Sequence, residues 1–340
     1  MTQDIYYRPI PSETGTWRLA GGWARFSQCE VLRRGAASDR SAPDVSAPEI
    51  TDRIPDDWLA RLTAPRGPIL DMAMDRPRVM AILNATPDSF SDGGLAGDAA
   101  GAVARGRALM AAGADMLDIG GESTRPGSAE VAIPEEIARI RPVIQGLSGL
   151  APISVDTRKA LVAEAALSAG ARLVNDVSGF DFDPDMAALV ARSGAEVCIM
   201  HAQGIPETMQ DDPQYGDVVL DVYDALAERV SRAITAGVDP SRIVIDPGIG
   251  FGKTEAHNLA IMRRISVYHG LGFPVLLGIS RKRFIGRIGE APEPRDRMAG
   301  TLALTLAAVA QGIQIHRVHD AAEIKQGLRL WSALEMRSGE

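Results

Sequence analysis

Three polar residues of this sequence each end a short apolar run. Asp156 ends PISVD, Asn175 ends RLVN and Asp246 ends RIVID. In a dry pocket, two carboxylates and an amide can accept hydrogen bonds from a flat heterocycle that carries several N–H groups. Cations and donors that suit an anionic group such as a phosphate are Lys282, Arg317, His319, Arg125 and Asn84. These residue types predict a planar, nitrogen-rich, phosphorylated ligand, but their spacing alone does not identify it.

A repeated unit must position these residues. From Arg78 onward, eight short apolar runs alternate with helix-like segments over about 260 residues, a pattern typical of parallel β-structure. Eight such units match the (β/α)8 TIM barrel, which gathers all its strand carboxyl ends around one mouth. The alternative, a doubly wound open sheet, uses only the strand ends near its switch point. Because polar residues end all eight runs, we favour a barrel, which would span residues 76–340. These polar residues are Asn84, Glu122, Asp156, Asn175, His201, Asp246, Ser280 and His319.

Residues 1–75 differ from the rest of the chain and predict an N-terminal extension. The segment 35–57 is small, polar and acidic, which is typical of a partly flexible linker, and a hairpin is expected around residues 21–22. Because exposed indole rings are costly in water, we expect the extension to pack on the outside of the barrel or at a subunit contact. We also expect it to be dispensable for chemistry. Three of the four tryptophans lie in it: Trp17, Trp23 and Trp58.

Composition excludes several classes of protein. The formal net charge is −8, so there is no general attraction to nucleic acid or anionic lipid. Cys29 and Cys198 are too few for a disulfide scaffold and lack the spacing of a metal site. The sequence does not begin with a signal peptide, and no apolar run reaches the roughly 18 residues of a spanning helix. We therefore expect a cytoplasmic protein with small-molecule substrates and with no nucleic-acid or membrane partner.

Three glycine-rich segments need separate interpretation. The segment 246–254, DPGIGFGKT, approximates a phosphate-binding P-loop, but Pro247 stands where the Walker pattern requires glycine. The segments NATPDSFSDGG (84–94) and GGESTRPGS (120–128) are polar and rich in turn-forming residues. We expect both of them to form loops at the mouth of the barrel.

The ordered set of motifs resembles the dihydropteroate synthase family of transferases. The motifs are NATPDSFSDGG, DIGGESTRPGS, SVDTRKA, LVNDVSG, MHAQGIPETMQ, VIDPGIGFGKT, LLGISRKRFIG and HRVHD. Each is weak alone, but in this order they are specific, and they cover roughly residues 78–335. Departures are small: Ala85 stands where the family usually has valine, and Ala202 where methionine is frequent.

The resemblance implies an activity and a set of site residues. The activity is the condensation of (7,8-dihydropterin-6-yl)methyl diphosphate with 4-aminobenzoate, which gives 7,8-dihydropteroate and pyrophosphate. It also implies Mg²⁺ dependence and a homodimer. The residues that resemble the pterin-binding set are Asp156, Asn175, Asp246 and Lys282. Those that resemble the metal and diphosphate set are Asn84 for Mg²⁺, with Thr124, Arg317 and His319 for the diphosphate. Those that resemble the surroundings of 4-aminobenzoate are Phe90, Arg125, Pro126 and Ser280. The residues that the resemblance assigns to catalysis are Asp92, in the loop 84–94, with Lys282, Arg317 and His319.

Each assignment has a structural alternative. Asp156 and Asp246 could cap the helices that follow their strands, and Lys282 could be a solvated residue at a helix start. His319 could be a satisfied strand-end histidine, and we assign His201 to that structural class. Two other functions share the pterin acids. One is a folate-dependent methyltransferase with a corrinoid partner, which has no need for the NATPDSFSDGG and SRKRF loops. The other is a non-catalytic pterin sensor.

Overall fold

The chain begins with a small antiparallel sheet. The computed structural model describes residues 5–34, 48–85, 95–123, 130–204 and 209–335. The first elements are β1 (Ile5–Pro11), β2 (Trp17–Arg18), β3 (Arg25–Arg33), β4 (Ile50–Thr51) and the helix α1 (Asp56–Thr63). Strand β3 pairs with each of the other three strands. The pairing of Trp17 with Phe26 confirms the hairpin predicted around residues 21–22. Strand β4 lies inside the segment interpreted as a linker, and residues 35–47 lie outside the described residues.

Eight parallel strands follow and close into a barrel. They are β5 (Arg78–Asn84), β6 (Met116–Gly120), β7 (Ile153–Asp156), β8 (Leu173–Asp176), β9 (Glu196–Met200), β10 (Ile243–Asp246), β11 (Leu276–Leu277) and β12 (Ile315–Val318). Their order is β10-β9-β8-β7-β6-β5-β12-β11. The two end strands also meet, because Ile245 of β10 bridges Val275 in parallel and donates its N–H to Pro274 O at 3.0 Å. The barrel prediction is confirmed, and the open sheet is excluded.

Helices connect the strands and cover the barrel. They are α2 (Leu95–Ala111), α3 (Ile133–Leu147), α4 (Ala160–Ala169), α5 (Met186–Ser193), α6 (Val218–Thr235), α7 (Glu255–Arg263), α8 (Arg283–Ile288), α9 (Met298–Val309) and α10 (Ala321–Glu335). Short 3-10 turns lie at 19–21, 240–242, 265–271 and 294–297. In the described part of the chain, no helix combines the length and the apolar character that crossing a membrane requires.

Alternation along the strands divides apolar residues between two clusters. In β5, for example, Val79 and Ala81 belong to the large cluster shared with the helices, whereas Met80 belongs to a second cluster inside the barrel. Side chains of neighbouring strand residues point to opposite faces, so alternate positions line the interior. The interior cluster contains one residue from each strand except β7: Met80, Met116, Leu173, Cys198, Val244, Leu276 and Ile315.

Residues just before β5 complete this interior cluster. Ile69, Leu70 and Met74 are at most 2% exposed and belong to it. The N–H of Leu70 donates to both carboxylate oxygens of Glu196, the first residue of β9, at 2.9 and 2.8 Å. The amino end of the barrel is therefore packed with apolar side chains, which leaves the carboxyl end for polar ones.

The N-terminal sheet packs on the barrel through an aromatic and ionic contact with α6. Trp58 is 5% exposed, and its ring lies 6.1 Å from that of Tyr223 and 6.5 Å from that of Tyr6. The Tyr6 hydroxyl donates to Asp224 at 2.8 Å, and Arg34 pairs with the same carboxylate. The placement of Trp58 agrees with the expectation that this indole covers the outside of the barrel. The division of the chain at residue 75 stays a prediction.

We expect Trp58→Ala to lower the free energy of unfolding by about 3–5 kcal/mol, because it leaves a cavity in this aromatic cluster. The backbone of Gly270 approaches so closely that a Cβ there would lie 2.3 Å from the indole, so the site has little room to collapse. Urea denaturation measures the change, with Trp58→Phe as the control that retains most of the packing. A loss below about 1 kcal/mol for the alanine variant would contradict this account.

Candidate active site

Four of the predicted residues lie on the inward face of the barrel near its carboxyl end. Asp156 of β7 and Asn175 of β8 are neighbours in the strand register, and Asp246 is the last residue of β10. These three are buried, with 3–5% exposed. Arg317 of β12 follows Ile315 of the interior cluster by two residues. The barrel therefore brings together four residues that lie far apart in the sequence.

Sequence reasoning missed a fifth residue, Asp118 of β6, which is fully buried. It accepts a hydrogen bond from Asn175 Nδ2 at 3.1 Å and another from Ser154 Oγ at 2.6 Å. The sequence did contain a sign of it: Asp118 is an acid within an apolar strand. Because side chains alternate between the two faces of a strand, it shares the interior face with Met116. Because the amide nitrogen of Asn175 donates to Asp118, its amide oxygen is left to accept hydrogen bonds from other groups.

Arg317 lies between two of these acids. Its Nε donates to Asp118 Oδ2 and its Nη2 donates to Asp156 Oδ2, both at 2.6 Å. Burial raises the pKa of Asp156 to about 7, and the Arg317 charge opposes this rise. For Arg317, burial lowers the pKa, but the charges of Asp118 and Asp156 outweigh burial and raise it above its ordinary value. The cation therefore compensates for two buried carboxyl groups at once.

Asp156 retains one acceptor that the described residues do not satisfy. Its Oδ1 is buried and accepts no hydrogen bond from them, although leaving a buried polar atom unpaired costs about 1–3 kcal/mol. Such an atom at a strand end is what a ligand N–H would satisfy. Neither oxygen of Asp156 caps α4 in the described structure, since Oδ2 accepts from Arg317 and the N-cap residue of α4 is Lys159.

Asp246 is held by the loop that follows its own strand. Its Oδ1 accepts the N–H of Gly248 at 2.7 Å, and burial raises its pKa to about 6, opposed by that hydrogen bond and by the nearby lysines. Gly248 adopts a φ of +66°, and a Cβ at this position would lie 1.8 Å from the carbonyl oxygen of His201. Only glycine allows the loop to turn back onto the carboxylate in this way.

Lys282 lies beside this loop. Its Nζ is 4.1 Å from the centroid of the Phe251 ring, a cation–π distance. Gly250 also contacts it, since a Cβ there would lie 3.0 Å from Lys282 Cδ. The lysine is the residue before α8, so it stands at a helix start, as the structural alternative proposed. Its contact with Phe251 nevertheless places it against the same loop that binds Asp246.

Two neighbouring contacts join the ends of β11 and β12. Ser280 Oγ lies 2.9 Å from His319 Nδ1 and accepts the His319 backbone N–H at 3.2 Å. The residues that follow Ser280 and His319 are also in contact, because Arg281 Nε donates to Asp320 Oδ2 at 3.0 Å. Ser280 therefore contacts the histidine that the resemblance assigns to the diphosphate, although the same resemblance assigns Ser280 to the other substrate.

Two other strand-end residues are occupied by structural contacts. Glu122 accepts from Lys159 Nζ at 2.6 Å and from Arg158 Nε at 3.1 Å. His201 Nδ1 is 2.9 Å from Lys253 Nζ, in agreement with its assignment to the structural class. Neither contact points to a direct part in chemistry.

Asn84 is the last residue of β5 and pairs in register with Gly120 of β6, beside the acids. In the described ranges there is no group of three or more histidine, cysteine or acidic side chains that could hold a metal. A hard oxygen from Asn84 fits Mg²⁺, which typically takes one or two protein oxygens and completes its shell with water and phosphate oxygens. The predicted residues Phe90, Asp92, Thr124, Arg125 and Pro126 lie outside the described residues.

Comparison with known proteins identifies the family of this chain. A family model described as "Pterin binding enzyme" matches residues 80–319. The dihydropteroate synthase of Neisseria meningitidis serogroup B is 43% identical over 270 residues, which are 78% of this chain and 95% of the relative. The matched region contains every described residue of the site.

Solved structures of relatives have the same fold. The dihydropteroate synthase of Xanthomonas albilineans with 4-aminobenzoic acid has a TM-score of 0.74 and 44% identity, covering 78% of this chain and 96% of that chain. The same enzyme in complex with 7,8-dihydropteroate has a TM-score of 0.71 and 42% identity over the same shares of the two chains. With its barrel, its buried acids and these relatives, the chain belongs to the dihydropteroate synthase family of pterin-binding enzymes.

Proposed function

We propose that this protein transfers the (7,8-dihydropterin-6-yl)methyl group from its diphosphate to 4-aminobenzoate, giving 7,8-dihydropteroate and pyrophosphate. The observation that carries the proposal is the buried, unsatisfied Oδ1 of Asp156 among further acceptors from Asn175 and Asp246. The relatives solved with 4-aminobenzoic acid and with 7,8-dihydropteroate support the choice of substrates.

The pocket suits the hydrogen-bonding pattern of a pterin. Asp156 offers Oδ1, Asn175 offers its amide oxygen because Asp118 binds the amide nitrogen, and Asp246 offers the oxygen that Gly248 does not bind. Three acceptors at the ends of three strands match the N–H and amino groups along one edge of the ring. A ligand that lacks these donors would leave the acceptors unpaired, so the pocket discriminates against it.

The chemistry follows from the charges around the pocket. As the methylene–oxygen bond breaks, the diphosphate leaves with the bonding electrons and the pterin ring stabilises the remaining cation. The negative charge on the leaving group is stabilised by donors that we assign to Arg317, His319 and Lys282. Asn84 would hold Mg²⁺, which when bound neutralises charge on the diphosphate oxygens. The nitrogen of 4-aminobenzoate then attacks the methylene carbon and loses a proton, which requires no strong base.

The second substrate would lie against Lys282, Phe251 and Ser280, together with the other residues that the resemblance assigns to it: Phe90, Arg125 and Pro126. Lys282 Nζ on the Phe251 ring offers a cation for a carboxylate beside an aromatic surface. We also propose that the protein works in the cytoplasm as a homodimer, for which Leu330 and Leu334 of α10, 65% and 84% exposed, offer apolar surface. Light scattering of the purified protein tests the dimer.

The decisive experiment mixes the purified protein with the pterin diphosphate, 4-aminobenzoate and Mg²⁺ and measures pyrophosphate and 7,8-dihydropteroate. Equal amounts of the two products support the proposed transfer. Binding of the pterin without release of pyrophosphate would instead identify a non-catalytic pterin-binding protein.

We expect Asp246→Asn to weaken pterin binding by about 2–4 kcal/mol, roughly 30- to 1,000-fold in Kd. The amide would place a donor against ligand donors or break the contact with Gly248. Calorimetry with an unreactive pterin measures the loss. Asp239→Asn is the matched control, because Asp239 caps the turn before the same strand and asparagine caps equally well. Affinity of Asp246→Asn within twofold of the unchanged protein would remove Asp246 from the pocket.

Pterin affinity should rise with pH between about 5 and 8. Burial raises the pKa of Asp246 to about 6, and only the ionised carboxylate accepts hydrogen bonds with both oxygens. Below that pKa the group must first lose a proton, so affinity should fall by about tenfold per pH unit. Calorimetry across this pH range checks the slope, and a flat profile would show that Asp246 is already ionised or does not contact the ligand.

Asn84→Ala should raise the Mg²⁺ concentration needed for half-maximal turnover by about tenfold or more, since it removes the proposed protein oxygen ligand. Titration of Mg²⁺ at saturating substrates gives this value. The affinity for an unreactive pterin without a diphosphate, measured in parallel, should change little. An unchanged Mg²⁺ requirement would mean that the metal is held elsewhere.

A further inference from the structure

A buried lysine that the proposed chemistry does not use lies under the loop 247–252. Lys253 is 2% exposed. Its Nζ donates to Gly248 O at 2.9 Å and to Phe251 O at 3.0 Å, and it lies 2.9 Å from His201 Nδ1. Among the described residues it forms no ion pair. A buried cation held only by neutral acceptors is costly, so its retention calls for an explanation beyond packing.

The Nζ of Lys253 also lies 3.3 Å from the carbonyl oxygen of His201, so four acceptors surround it. An ammonium has three N–H groups for these acceptors and an uncharged amine has only two, so the ammonium satisfies more of them. Burial lowers the pKa of His201 far below its ordinary value, with a further contribution from the Lys253 charge. The imidazole is therefore neutral, and its Nδ1 accepts from the lysine. Burial lowers the pKa of Lys253 well below its ordinary value, and the charge of Asp246 opposes this change. The surrounding acceptors favour the ammonium form, held between the end of β9 and the loop after β10.

The loop transmits this contact to Asp246. Gly248, whose carbonyl oxygen accepts from Lys253, donates its own N–H to Asp246 Oδ1 at 2.7 Å. A single peptide segment therefore separates the ammonium from the carboxylate. Movement of Gly248 would rotate the carboxylate or remove its hydrogen bond.

The same loop transmits the contact to Lys282. The carbonyl oxygen of Phe251 accepts a hydrogen bond from Lys253. The ring of the same residue lies 4.1 Å from Lys282 Nζ. The N–H of Gly250 is fixed in turn by Asn258 Oδ1 at 2.7 Å. The glycine-rich segment that approximates a P-loop thus wraps around a lysine of its own chain, with the carbonyl oxygens of Gly248 and Phe251 turned toward that lysine.

We propose that Lys253 is a positioning residue that sets the orientation of the Asp246 carboxylate and the place of Phe251 beneath Lys282. The inference rests on the proposed function, in which Asp246 and Lys282 contact the substrates. It assigns the DPGIGFGKT segment a role as a shaped support for both substrate sites in place of phosphate binding.

The test compares three variants for Tm, kcat, the KM of each substrate and pterin affinity as a function of pH. Lys253→Met removes both the charge and the donors, and Lys253→Gln keeps two N–H donors without the charge. Lys325→Met is the matched control, because Lys325 pairs with Asp115 before β6, at the opposite end of the barrel. Asp246→Asn is measured in parallel.

We expect Lys253→Met to raise the KM of both substrates by ten- to a hundredfold, since misplacement of about 1 Å has effects of that size. Lys253→Gln should raise them less, because it can still hold part of the loop. Asp246 is faced by Lys282, Lys253 and Arg317. Loss of one of these cations should move the pH midpoint of pterin binding upward in both variants, and Lys325→Met should leave every value unchanged.

Three outcomes would overturn the inference. If Lys253→Met lowers the Tm but keeps the KM values and the pH midpoint of the unchanged protein, the lysine is purely structural. Failure of both neutral variants to fold would assign Lys253 to stability in the same way. Absence of pyrophosphate release by the unchanged protein would overturn the proposed function and this inference with it.

Discussion

The fork of Arg317 between Asp118 and Asp156 is the contact on which the polar half of the barrel depends. Two carboxyl groups inside a barrel would repel each other and lose their hydration, and the interior tolerates them only when a partner compensates. Arg317 is that partner. It lies on β12, which β5 separates from β6 in the sheet order. Loss of the guanidinium would leave two buried acids, so we expect its removal to cost more than the loss of either hydrogen bond alone.

From this contact the rest of the site follows in order. Asp118, fixed by Arg317 and Ser154, binds the amide nitrogen of Asn175, which turns the amide oxygen outward. Asp156 gives one oxygen to Arg317 and keeps the other unpaired. The acceptors that face a ligand are thus the atoms left over after the internal hydrogen bonds are made. Preorganisation of this kind reduces the entropy lost on binding.

The site is a source of instability in the absence of a ligand. Burial raises the pKa of Asp246 to about 6 and that of Asp156 to about 7, above the values of an unfolded chain. A raised carboxyl pKa means that the folded state binds more protons than the unfolded state, so stability declines as pH rises through this range. The apolar amino half of the barrel, packed by Ile69, Leu70 and Met74, and the aromatic contact of Trp58 with α6 offset that cost.

The sequence by itself determined the repeated strand–helix unit and three of the residues that line the mouth, and it favoured the closed barrel over the open sheet. The strands and their polar ends are local features, because hydrophobic runs mark the strands and a polar residue at a strand end lies near the carboxyl edge of the sheet. Not every such residue joins the site, since Glu122 and His201 make structural contacts. Asp156, Asn175 and Asp246 could be found in this way. Asp118 escaped notice because it lies within its strand, and an acid there is identifiable as functional only when its partners are known. Those partners, Ser154, Asn175 and Arg317, lie 36, 57 and 199 residues away.

The tertiary structure decided which side chains meet across the barrel. The contacts of Arg317 with two acids, of Ser280 with His319 and of Lys253 with His201 join different βα units, and no periodicity in the sequence encodes their register. The same holds for the segment 246–254: Pro247 already argued against a P-loop in the sequence, but only the structure shows that the loop closes around Lys253. Local sequence sets which groups a strand or loop can present. The closure of eight strands, with their shared tilt and stagger, sets which of those groups lie within hydrogen-bonding distance of one another.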